Sequence, residues 1–147
     1  MSANPESPEP RLGRTRFTSV LSVRPDDIDM NRHVHASRYQ DYLLAARYEQ
    51  MARDYGMSME DFVTQGFGWF VHTLHLEYKR PLKLGDIFQV TTWVDEIFPD
   101  AVTVRFEMRR GQPAKVCCDG WARYTLVEAA TGRATRIPAW VLEKYSV

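Results

Sequence analysis

The chain has 147 residues, enough for a single domain, and folding at this length buries roughly two-thirds of the unfolded surface. Hydrophobic residues make up 44% and aromatic residues 12%, which excludes disorder over most of the chain and allows a core without disulfide or metal staples. Lys plus Arg number 19 and Asp plus Glu number 19, so the net charge is zero, and no basic excess of the kind used to bind nucleic acid is present.

Residues 1–15 hold Pro5, Pro8 and Pro10 among Ser, Glu and Arg, and read as a disordered tail ahead of a domain at 16–147. The stretch has no apolar run, so it is not a secretory signal, and a cytoplasmic location without membrane contact is expected. Phe17 to Val23 is β-branched and apolar and predicts a strand. Residues 24–35 are polar and irregular, with three aspartates, Asn31, His33 and His35, and predict a loop.

From about Ala36 to Tyr55 there is no Gly or Pro, and a helix is expected. Tyr39, Tyr42, Leu43 and Ala46 form one apolar face, while Leu44, Tyr48 and Met51 fall nearly opposite. A helix apolar on more than one side is expected to be buried on more than one side, wrapped by a sheet. Ser58 and Asp61 have capping-box spacing and predict a second short helix.

Four strands follow. Phe70, His72, Leu74, Leu76 and Tyr78 alternate with Trp69, Val71, Thr73, His75 and Glu77. On this alternation His72 shares an apolar face and reads as a core histidine. Phe88 to Val94, Val102 to Met108 and Val116 to Leu126 repeat the period-2 pattern of antiparallel strands. Breaks at Pro81 to Asp86, Pro99-Asp100 and Gly111-Gln112-Pro113 carry turn chemistry, and Pro138 opens a C-terminal helix. Cys117 and Cys118 are adjacent and read as free thiols, with Cys118 on a core face. One long helix against a curved antiparallel sheet, an α+β architecture, is the simplest closed arrangement.

The unusual chemistry lies in residues 26–39, DDIDMNRHVHASRY. Asp29, Asn31 and His33 sit at i, i+2 and i+4, just before a helix N-terminus. A carboxylate, an amide and an imidazole can orient and deprotonate a water, and the free N–H groups of the helix start can stabilise an oxyanion. Acyl transfer to water needs both halves. The bland reading is that Asp and Asn before a helix act as caps, which fits Asp26 and Asp27 best.

The stretch from Val23 through Arg47, VRPDDIDMNRHVHASRYQDYLLAAR, resembles the hot-dog-fold acyl thioesterases. Asp27-Ile28-Asp29, His33-Val34 and Tyr39 match the Asp-x-Asp loop and Tyr-bearing helix of the 4-hydroxybenzoyl-CoA thioesterase-like group. Asp29, Asn31, His33 and Val34 are similar to the Asp-x-Asn-x-His-Val segment of the plant acyl-ACP thioesterases. LEYKRPLKLGD at 76–86 and Arg136-Ile137-Pro138 extend the resemblance to nearly the whole chain.

The resemblance implies a single hot-dog fold, acting as a homodimer or homotetramer with sites between subunits. It implies hydrolysis of an acyl thioester carried by CoA or acyl carrier protein, without metal or redox cofactor. Asp29 would be nucleophile or base, Asn31 an orienting group, His33 a base or polarising donor, and the N–H near Ala36 an oxyanion donor. Tyr39, Phe67, Trp69 and Arg105 are candidates for substrate contact: Phe67, Trp69 and Phe70 either line an acyl pocket or belong to the core, and Arg105, Arg109 and Arg110 either receive CoA phosphates or form a solvated strand face. His35 either extends the site or is a solvated loop residue.

Two departures matter. Arg32 stands where many relatives have Gly, and Pro81 and Leu82 replace a further Glu and Cys of the plant enzymes, so the mechanism rests on Asp29 and His33. A hot-dog hydratase or dehydratase is a weaker alternative, because its His and Asp/Glu signatures are absent. A non-catalytic acyl-thioester-binding module is the other, and the joint presence of Asp29, Asn31 and His33 argues against it.

Overall fold

The computed structural model describes residues 14–147. The tail expected at residues 1–15 lies almost wholly outside the described residues. Strand β1 (Phe17–Ser22) leads through the loop into helix α1 (Tyr39–Arg53), preceded by a 3-10 turn at Ala36–Arg38. Helix α2 (Met59–Thr64) follows, then β2 (Phe67–Tyr78), β3 (Ile87–Ile97), β4 (Ala101–Arg110), β5 (Lys115–Glu128) and α3 (Ala139–Tyr145). The five strands form one antiparallel sheet in the order β1-β3-β4-β5-β2, with α1 packed against it. This is the expected hot-dog arrangement.

Alternation explains the packing. Val104, Phe106 and Met108 of β4 and Cys118, Ala122 and Leu126 of β5 are fully buried, and meet Tyr42, Leu43 and Ala46 of α1 or the adjoining cluster around Met51 and Phe62. Burying one such Phe or Leu side chain stabilises the fold by about 1.5–3 kcal/mol. Ser58 caps α2 as expected: its Oγ accepts from Asp61 N at 3.1 Å, and Asp61 Oδ2 accepts from Ser58 N at 2.9 Å. Pro138 is the N-cap of α3.

Two expectations are corrected. The ladder between β2 and β5 runs Val71 to Tyr124 and then Thr73 to Arg123, so His72 is the extra residue of a β-bulge. The bulge shifts the alternation, keeping Trp69, Val71, Leu74 and Leu76 on the helix side and leaving His72 exposed, with Nδ1 2.8 Å from Thr73 Oγ1. His72 is therefore not a core residue. The second correction concerns the face of α1 that holds Leu44, Tyr48 and Met51, which is covered within this chain only at its Met51 end. Met51 is fully buried, but Leu44 and Tyr48 are 56% and 48% exposed. One sheet can cover only part of a helix surface.

Tight contact between β2 and β5 depends on Gly120. A Cβ there would lie 1.8 Å from the His75 carbonyl oxygen. Only glycine lets the two backbones approach so closely.

Candidate active site

The loop between β1 and α1 folds into a small hairpin. Ile28 bridges Val34, and Asp29 N donates to His33 O at 2.8 Å. Arg32 takes a positive φ of 64° at the tip, a conformation that glycine adopts without strain. Arg32 therefore holds the turn at some cost in backbone strain. The hairpin leans on residues 82–84: Val34 N donates to Leu82 O at 2.8 Å, and His33 bridges Lys83. Leu82 is fully buried and Pro81 half-buried, so neither position offers a titratable group to the hairpin.

Asp29 is half-buried at the base of this hairpin. Its Oδ1 accepts from the backbone N–H of Asn31 at 2.8 Å and of His33 at 3.1 Å. Oδ2 has no hydrogen-bond partner among the described residues. The carboxylate is thus held by one oxygen and offered by the other. Asn31 and His33 do meet Asp29, but through their main chain; the Asn31 side chain is exposed, and neither side chain bonds the carboxylate.

Asp27, two residues earlier, does the opposite. It is buried, and its carboxylate takes Arg24 Nε at 2.8 Å, the Tyr42 hydroxyl at 2.7 Å and Arg38 at 3.6 Å. The Arg24 hydrogen bond above all, with Tyr42, holds its pKa below the usual carboxylate value against the opposing effect of burial. His35 N donates to Asp27 O at 2.9 Å, tying the hairpin to the helix start. The Asp27 carboxylate meets side chains rather than the free N–H groups of a helix start, so Asp27 clamps the loop and is not the cap that was expected.

Ala36 opens the 3-10 turn that runs into α1 and is exposed. Its carbonyl accepts from Tyr78 Oη at 2.8 Å, while its N–H has no acceptor among the described residues. Such unpaired N–H groups at a helical start favour a developing negative charge. Tyr39 is buried; its hydroxyl accepts from Leu82 N at 3.0 Å and its ring stands edge-on to Tyr78 at 5.0 Å. Its work is to join α1 to the loop after β2.

A separate apolar cavity of about 230 Å³ lies farther along α1. Phe67 and Trp69 of β2 line it with Leu44 and Arg47 of α1, Phe62 of α2 and Tyr145 of α3. Phe67 and Trp69 are among the expected substrate contacts, and Arg47 is not. A charged residue adjoining Ala46 and one turn past Leu43, both on the buried helix face, was the available signal. Arg105 is elsewhere. It lines a groove on the sheet face away from α1 and pairs with buried Asp95 at 2.8 Å. Arg109 pairs with Glu107 and Arg110 with Asp86, so the structure does not bring these arginines to Asp29.

Both thiols are buried. Burial pushes Cys117 up and Cys118 up to about 12, which leaves them protonated and poor nucleophiles at neutral pH. Among the described residues no group of three or more His, Cys, Asp or Glu is arranged to hold a metal ion, and no helix is long and apolar enough to cross a membrane.

Comparison with known proteins agrees with this architecture. Long-chain acyl-CoA thioesterase FadM of Escherichia coli (strain K12) is 19% identical over 124 residues, covering 84% of this chain and 92% of that protein. DHNA-CoA thioesterase of Staphylococcus aureus superposes with a TM-score of 0.82 at 20% identity, over 89% of each chain. A hypothetical protein of Staphylococcus aureus in complex with CoA superposes at 0.80 and 18% identity, over 94% of this chain and 88% of the other. The model of the thioesterase-like superfamily matches residues 23–145, a span that takes in the Asp29 hairpin, α1 and the sheet from β2 to β5. The chain therefore belongs to the thioesterase-like superfamily.

Proposed function

We propose that the chain hydrolyses an acyl thioester, with Asp29 as the catalytic carboxylate. The observation that carries this reading is the split use of that carboxylate: Oδ1 bound by two backbone N–H groups, Oδ2 free, close in sequence to the unpaired N–H of Ala36. In the general-base form, Oδ2 takes a proton from water as the water oxygen attacks the thioester carbon. The Ala36 N–H holds the resulting oxyanion. Collapse breaks the C–S bond, and the thiolate leaves with the proton held by Asp29. In the nucleophilic form, Oδ2 attacks the thioester carbon, the C–S bond breaks to release the thiolate, and water then hydrolyses the mixed anhydride to free acid and the Asp29 carboxylate, its released proton going to the thiolate. His33 and Asn31 flank the same loop and would contact the thioester rather than the Asp29 carboxylate.

CoA is the carrier favoured by the names of the similar proteins, and acyl carrier protein is the second candidate. A homodimer would complete the site. Strand β2 is a sheet edge, and Phe70, Val71, Leu44 and Val63 expose apolar surface beside it. Antiparallel self-pairing of β2 about its midpoint would set Tyr78 of one copy against Phe67 of the other. The Ala36 end of one chain would then face the Trp69 end of its neighbour, joining the carboxylate to the apolar cavity.

The test is thiol release from acyl-CoAs from acetyl to palmitoyl, with benzoyl and phenylacetyl, followed by an acyl-carrier-protein panel. Wild type should turn over part of the panel, and Asp29→Asn should lose about 10³-fold or more in kcat. Full activity in Asp29→Asn would sink the mechanism. Binding of acyl thioesters without turnover on either carrier would favour the binding-module alternative.

A further inference from the structure

The apolar cavity holds a charge that its own walls do not neutralise. Arg47 is 3% exposed and lines this cavity. Its guanidinium donates to Thr92 Oγ1 at 3.1 Å, Met51 Sδ at 3.3 Å and Tyr145 Oη at 3.4 Å, and sits 5.5 Å from the centre of the Tyr55 ring. All four partners are neutral. Among the described residues no carboxylate pairs with Arg47, and neither Asp nor Glu lines the cavity. Buried arginines normally meet a carboxylate, because a charge removed from water needs compensation.

A second observation points to the same place. Trp69 Nε1 is buried without a hydrogen-bond partner among the described residues. An indole N–H can only donate, so its missing partner is an acceptor. Trp69 and Arg47 both border Tyr145: the Trp69 and Tyr145 rings are 6.0 Å apart, and the Tyr145 hydroxyl takes the Arg47 bond. A buried donor without a partner and a cation without a carboxylate therefore both belong to residues that line this cavity and border Tyr145. Its chemical complement is an apolar chain ending in an anionic acceptor.

We propose that the acyl group taken by this cavity carries a carboxylate at its far end, so that the substrate is the monothioester of a dicarboxylic acid. The carboxylate would accept from Trp69 Nε1 and the Arg47 guanidinium, while the methylenes lie against Leu44, Phe62 and Phe67. At about 30 Å³ for each water-sized group, a cavity of about 230 Å³ takes roughly seven or eight non-hydrogen atoms. A glutaryl or adipoyl group is of that size. The inference rests on the thioesterase reading above and names its substrate class.

Steady-state thiol release from adipoyl-CoA and glutaryl-CoA would be compared with hexanoyl-CoA and pentanoyl-CoA. Wild type should prefer the dicarboxylic member of each pair by roughly 10- to 100-fold in kcat/KM, the worth of a charge-assisted hydrogen bond. Trp69→Phe and Arg47→Gln should bring that ratio toward one, chiefly through KM on the dicarboxylic substrate. Circular dichroism would confirm that each variant is folded, and Trp69→Phe carries the test if Arg47→Gln does not fold. Equal or better turnover of hexanoyl-CoA by wild type would overturn the inference and leave thioester hydrolysis standing. If no thioester on either carrier is hydrolysed, the functional reading fails, and calorimetry on wild type decides the inference by itself. Adipate binding that Trp69→Phe weakens would support it; failure of adipate to bind, or a preference for hexanoate, would overturn it.

Discussion

Tyr42 in the first turn of α1 donates its hydroxyl proton to Asp27 across 2.7 Å, and so locks the helix to the loop that presents Asp29. The same hydroxyl accepts from Arg24 N at 3.0 Å. Two aspartates separated by one residue thus differ in their use: the Asp27 carboxylate clamps the loop, and Asp29 leaves Oδ2 without a partner among the described residues, as the proposed catalytic role requires. Asp27→Asn should lower unfolding stability by about 1–3 kcal/mol, because a charge-assisted acceptor is lost in a buried position. Asp29→Asn keeps Oδ1 as an acceptor and should change stability by less than about 0.5 kcal/mol while removing activity. Urea denaturation of both variants beside turnover separates the two roles.

The clamp also predicts an acid limb. The folded-state pKa of Asp27 lies below its ordinary value of 3.8, through Arg24 first and Tyr42 after. Between the folded and unfolded values the unfolded chain binds more protons, so stability rises with pH across that window. The contribution is complete above about 3.8 and is lost as pH falls through the folded value. Denaturation midpoints from pH 2.5 upward should show this slope in wild type and a shallower one in Asp27→Asn.

Thiol chemistry should be silent in the folded protein. Cys117 and Cys118 are both fully buried, and desolvation holds them protonated. Ellman's reagent should find almost no reactive thiol under native conditions and two per chain in guanidinium. Rapid native labelling would show that the sheet opens near β5.

Gly120→Ala should be strongly destabilising, since the new methyl would meet the β2 backbone at His75 rather than a side chain that can turn aside. Overpacking of this kind costs about 1–3 kcal/mol or more. Gly68→Ala, whose Cβ would lie 3.9 Å from Val127, is the control on the same ladder. Thermal melts should separate the two clearly.

The exposed apolar surface beside β2 predicts self-association. Phe70→Asp or Phe70→Lys, at a position 61% exposed in the single chain and outside the cavity lining, should shift the protein toward monomer in light scattering. If the cavity is completed by a neighbour, the monomeric variants should also lose activity. An active monomer would place the whole site within one chain.

The amino-acid sequence by itself determined the elements and their order. Period-2 alternation in β4, the Ser58-to-Asp61 cap, the Pro138 start and the polar loop before α1 are local signals, and each element forms where its own residues favour it. The candidacy of Asp29 was also legible, because an acidic loop against a helix start is a local pattern. Three things were decided only in three dimensions. The bulge at His72 depends on how β2 aligns with β5, and one extra residue reverses which side chain faces the core. The ion pair of Arg105 with buried Asp95 needs β3 beside β4 in the observed register, which neither strand's own residues set. The burial of Arg47 beside Trp69 needed α1, β2 and α3 to converge, since a charge loses its water only when elements distant in sequence close around it.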